Sequence, residues 1–166
     1  MQTYPYRAGQ ILASDDVVDG VHEYLPVLQA TGTNPFLGSG SVQEGRWVRT
    51  LDGWITAWAR IRFGTSGVSS GSGTYLITLP TPVSSVMTAG LVGLGNVVGE
   101  GSIRDELPVS AFRGVRASIQ SLTAGPGGVG RVQLAQPASG AVTSASPWTW
   151  STQDALAIVV DYIGVV

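Results

Sequence analysis

The chain has 166 residues, of which 23 are glycine and 43 % hydrophobic; only 12 % are charged and the formal net charge is −2. That much apolar content with so little charge excludes a disordered polyelectrolyte. The glycine content argues against a helical bundle, because each glycine in a helix interior costs about 1 kcal/mol relative to alanine. All nine cations are arginine, His22 is the one histidine and cysteine is absent, which removes disulfides, thiolate chemistry and His/Cys metal sites and leaves no basic patch for nucleic acid.

The first ten residues, MQTYPYRAGQ, read as extended, with Pro5 opposing helix and Gly9 permitting a turn. They lack the apolar stretch of an export signal, and no run in the chain approaches the ~20 apolar residues that span a bilayer. Ser14 before Asp15 and Asp16 makes a suitable helix N-cap. Val17, Val18, Val21 and Leu25 recur at helical spacing, so a short helix over residues 14–25 is expected, ended by Pro26. A helix this short is unstable alone, and its apolar edge is expected to serve attachment or oligomerisation. Residues 1–40 are therefore set apart as an N-terminal attachment segment, an extended arm carrying that helix.

From residue 41 the pattern is β. Residues 46–51, RWVRTL, alternate and are followed by Asp52-Gly53, a hairpin dipeptide. In the next strand, WITAWARIRF, Ile55, Ala57, Ala59, Ile61 and Phe63 fall on one face and Trp54, Thr56, Trp58, Arg60 and Arg62 on the other. Residues 64–73 read as a flexible connection. A strand over 74–79 is closed by Pro80 and Pro82, and another runs over 85–94. Residues 95–108 read as loop with one short strand at most. One or two strands over 109–123, broken near Gly114, and a short strand over 131–134 follow. Trp148 and Trp150 are expected to pack. Residues 155–165, ALAIVVDYIGV, form a β-branched run suited to a central strand. About eight short strands with glycine and serine turns predict an all-β antiparallel sandwich, jelly-roll-like, over residues 41–166.

Chemistry-bearing motifs are weak. His22 sits beside Glu23 without a nucleophile elbow, and surface or interface placement accounts for it. Asp15-Asp16 is explained by helix-start electrostatics and Asp105-Glu106 by a solvated loop, so neither carboxylate pair reads as a glycosidase site. GLGNVVGEG and GPGGVG lack the order and the lysine of phosphate-binding loops. No enzyme activity, cofactor or metal is expected. The binding candidates are Trp54, Trp58, Arg60 and Arg62, because exposed aromatic faces stack on sugar rings and arginine binds acidic groups bidentately. Core or subunit packing of the same rings is the simpler alternative. Sparse charge also suggests that other chains cover much of the surface.

Three segments carry a resemblance. RAGQILASDDV at 7–17, GTYLITLP at 73–80 and PWTWSTQDAL at 147–156 with the later Val160-Asp161-Tyr162 resemble, in that order, segments of tailed-bacteriophage minor tail and fibre-like proteins. Ile163 and Gly164 depart from the acidic residue usual after the tyrosine. The resemblance implies a non-enzymatic virion structural protein, on the tail or capsid exterior, with a trimer as the expected homo-oligomer. Its implied partners are other virion proteins; a capsid decoration protein or head fibre, and a receptor-recognition module for host cell-surface glycan, are the alternatives.

Overall fold

A computed structural model of the chain describes residues 18–50, 52–84, 97–106, 111–119, 129–137 and 140–165. The described residues form ten strands and no helix. They are β1 (Val18–Tyr24), β2 (Leu28–Ala30), β3 (Val42–Thr50), β4 (Trp54–Arg62), β5 (Tyr75–Val83), β6 (Val97–Asp105), β7 (Ala111–Ile119), β8 (Val129–Gln136), β9 (Gly140–Ala141) and β10 (Ala155–Ile163). All pair antiparallel in one sheet, ordered β1-β3-β4-β10-β6-β7-β8-β5-β2, with β9 on β8.

The connectivity requires this sheet to curl. β1 and β2 lie at opposite ends of the path, yet only Leu25, Pro26 and Val27 separate them. Four peptide steps reach at most ~14 Å, so the sheet's two ends must come together, giving a half-barrel. A second closure joins the ends of β5 and β10. Ser84 N–H donates to the Ile163 carbonyl at 2.7 Å and Val165 N–H to that of Pro82 at 2.9 Å. The Tyr162 hydroxyl donates to the Thr81 carbonyl at 3.0 Å.

The curl encloses the core. The predicted inward face of β4 is buried throughout, with Ile55, Ala57, Ile61 and Phe63 at 0 % exposure. Leu156, Ile158, Val160 and Tyr162 of β10 alternate in the same sense, and β5, β7 and β8 complete the cluster from the other side. β10 lies between β4 and β6, the central position that its β-branched run predicts.

The expected N-terminal helix is corrected. Ser14 to Val17 lie outside the described residues, but Val18–Tyr24 is strand β1, hydrogen-bonded to β3 from Val18↔Thr50 to Tyr24↔Gly45. Gly20 has φ +76°, a left-handed conformation that a right-handed helix cannot contain. β-branched valines and a ready partner strand override a weak helical spacing. The described part of this segment is thus built into the sheet instead of standing off as an arm. Tyr24 lies over Gly45, where a Cβ would come within 2.8 Å of the ring Cζ and closer to Cε1 and Cδ1; the ring covers the gap a glycine leaves in a sheet.

Other boundaries also shift. β5 runs through Pro80 and Pro82 because its register with β8 is irregular between Thr78 and Val83, and ladder donors are not demanded there. β6 is a full strand where a loop was expected, and β7 continues through Gly114. The connection 64–73 is latched to residues 32–39. Phe36 and Ser69 exchange two backbone bonds at 2.9 Å, and Ser39 N–H donates to Ser66 O at 3.0 Å. The strand expected over 85–94 lies outside the described residues.

Candidate functional site

The sheet's outer face was reachable from the alternation of β4 alone. Trp54, Thr56, Trp58 and Arg60 point away from the core, and the register supplies their neighbours. Trp58 stands between Arg46 of β3 and Val159 of β10, and that row continues to Glu23 of β1 and Glu100 of β6. Arg60 stands between Glu44 and Ala157, and that row continues to Ser102. Side chains directly opposite on antiparallel strands share a face, so these two rows run parallel across the sheet.

Between the rows lies a groove of about 1170 Å³. One wall is Glu23, Arg46, Trp58 and Val159; the other is Leu25, Glu44, Arg60 and Ala157. Its floor is the intervening row, Tyr24, Gly45, Ala59, Ile158 and Gly101. The groove crosses five strands, roughly 19 Å at four spacings of about 4.8 Å. Trp58 keeps 42 % of its surface exposed. Arg60 Nη1 lies 3.6 Å from Glu44 Oε2, and Arg46 Nη2 lies 3.9 Å from Glu23 Oε1. Such exposed pairs contribute little stability and place donors and acceptors on both walls.

The four residues singled out on β4 separate. Trp58 and Arg60 line the groove on opposite walls. Trp54 is exposed but four residues from Trp58, roughly 14 Å along the strand, and Thr56 between them donates to Asp161 Oδ1. Arg62 is half-buried near the end of β4, between Val42 and Ala155. The two tryptophans are therefore not one platform. Glu23, Glu44, Arg46 and Val159 are groove residues that the sequence reading missed as site members. Their own strands alternate, but only strand pairing reveals that they meet Trp58 and Arg60.

Other aromatic and ionisable side chains have structural roles. Trp47 packs against the core cluster and stacks on His22, with centroids 4.5 Å apart. Glu106 forms an ion pair with Arg104 at 2.7 Å. Asp154 is fully buried; its carboxylate accepts from Ser151 N–H at 2.7 Å and Glu106 N–H at 3.0 Å, pinning the turn that enters β10. Burial holds the Asp154 carboxyl above the usual carboxylate range, an effect those two bonds oppose. Among the described residues no three His, Cys, Asp or Glu side chains gather as a metal site, and no helix is long and apolar enough to cross a membrane. No protein-family model, curated protein or solved structure matches the chain.

Asp154→Asn places an NH2 against one of those N–H donors and is expected to cost about 1–3 kcal/mol in urea unfolding. The native state takes up the Asp154 proton at higher pH than the unfolded chain, so this group adds stability as pH falls through its folded pKa. The deficit of the Asn variant should therefore widen on acidification; a constant or shrinking gap would contradict the burial effect.

Proposed function

We propose that the chain is a non-enzymatic structural component of a tailed-phage virion, a minor tail or fibre-like protein that self-associates, with a trimer as the expected stoichiometry. The observation that carries this reading is the terminal strand β1 and its exit, where Val21 and Leu25 keep 66 % and 64 % of their surface exposed. These are two of the residues assigned to attachment, now on the end strand of the described sheet with their apolar side chains exposed. Burying that edge against another copy removes apolar area from water at about 25 cal/mol per Å². Cyclic symmetry repeats the contact around an axis.

The packing of two of the resembling segments supports the same reading. Residues 73–80 and 147–156 pack together: Trp150 meets Tyr75 edge-on at 5.3 Å, and Ser144, three residues before the second segment, donates its N–H to Gly73 O at 3.1 Å. Their shared residues thus have a framework role. The jelly-roll-like sandwich belongs to this proposal, with the two wings of the curled sheet as its facing layers. A capsid decoration or head-fibre location would use the same geometry, and labelling in intact particles separates it from a tail location.

The test is sedimentation of the purified chain. The expected result is a trimer at micromolar concentration, reduced to monomer in Val21→Glu/Leu25→Glu with an unchanged β-type circular dichroism spectrum. A wild-type monomer at that concentration overturns the proposal.

A further inference from the structure

We infer that the groove across β1, β3, β4, β10 and β6 binds a neutral oligosaccharide laid across the strands, with one pyranose ring stacked on Trp58. Shape, charge and backbone each narrow the ligand class. At about 1170 Å³ the groove exceeds the ~300–1,000 Å³ of ordinary small-molecule clefts, and it is long and open at the surface. That form suits a chain of repeating units more than one compact molecule.

The walls present two guanidinium groups, Arg46 and Arg60, and two carboxylates, Glu23 and Glu44. Their charges sum to zero, and Glu100 at the β6 end of the Trp58 row is in register with Arg116 of β7, so the groove has no excess of either sign to attract an anion or a cation. A nucleic acid would need an excess of cations. Ion pairs at 3.6 and 3.9 Å leave guanidinium N–H donors and carboxylate lone pairs free to engage hydroxyl groups, which both donate and accept. Trp58 beside Val159 supplies the apolar surface on which the C–H face of a sugar ring stacks.

The backbone of the floor disfavours a peptide strand. Gly45, Ala59 and Ile158 belong to strands flanked by neighbours on both sides, so their N–H and C=O groups are committed to ladders and cannot add a strand. Recognition must come from the side chains of the walls. Leu25 belongs to both the groove wall and the proposed self-association surface, so the inference is carried by Trp58 and Arg60, which lie two strands away from β1.

The test begins with the full-length protein on a glycan microarray carrying neutral and acidic oligosaccharides. Isothermal titration with cellohexaose, maltohexaose, laminarihexaose and a heparin-derived hexasaccharide follows. The expected result is saturable binding of at least one neutral hexasaccharide with a change in tryptophan fluorescence. Trp58→Ala should raise its Kd at least about tenfold, whereas Phe112→Ala, an exposed aromatic change on β7 outside the groove, should leave it unchanged. Circular dichroism confirms that both variants fold. Binding of the acidic glycan only, binding of none, or full affinity in Trp58→Ala overturns the inference, and none of these outcomes bears on the sedimentation result.

Discussion

Gly101→Ala is expected to abolish the native fold or destabilise it by at least about 3 kcal/mol, the upper end of ordinary overpacking. Gly101 lies between Ile158 of β10 and Val115 of β7. A Cβ there would sit 2.8 Å from Ile158 Cα and closer still to the Ala157 carbonyl oxygen. Those are backbone atoms of the central strand, which no side-chain rotation can relieve. Gly99 makes the same approach to Val160 Cα, at 2.7 Å. Two such glycines on one strand let β6 press against β10, a close backbone approach that glycine in a strand permits. Gly114 is the control. It is exposed on β7, a Cβ there meets nothing within 4 Å and its φ is not positive, so Gly114→Ala should stabilise by roughly 0.4–1 kcal/mol through the unfolded chain. Urea unfolding of both variants checks the contrast. Equal effects would show that the close approach of β6 and β10 does not limit the fold.

Trp150→Ala carries the next largest effect, an expected loss of about 3–5 kcal/mol from a total that for a domain of this size is about 5–15 kcal/mol. The ring is 2 % exposed and packs against Phe63, Tyr75 and Trp148 with centroids 5.6, 5.3 and 5.8 Å away. It joins the end of β4, the start of β5 and the turn before β10, elements distant in the chain. Trp150→Phe keeps an aromatic ring and removes an indole N–H that is buried with no hydrogen-bond partner among the described residues. Its cost should stay within about 1.5 kcal/mol. The midpoint of urea unfolding, with the slope unchanged, is the measurement; a midpoint for Trp150→Ala indistinguishable from wild type would remove this cluster from the core.

The local patterns that could be read in advance were those in which one short stretch contains its own signal. WITAWARIRF alternates strictly, and both its faces lie where alternation puts them. Asp52-Gly53 marks the β3–β4 hairpin, with Gly53 at φ +90°. β6 reads as loop with one short strand at most because Gly99 and Gly101 weaken the strand signal while serving a contact with β10 that lies more than fifty residues ahead. β1 was misread because Val18, Val21 and Leu25 fit a helical period as well as a pairing with β3, and the spacing alone contains nothing about the partner. Pro80 and Pro82 read as terminators because their tolerance depends on the irregular register with β8.

The candidate site divides in the same way. Trp58 and Arg60 were identifiable as outward residues of one strand, and composition alone indicated an all-β chain with little surface charge. That Glu23, Arg46 and Val159 join Trp58 in one row, and that Trp54 and Arg62 stand outside the groove, followed from strand order and register. A residue's face is set by its own backbone within a few residues. Its neighbours across a sheet are chosen by how the whole chain buries its apolar faces and closes its edges, and no local stretch of sequence contains that choice.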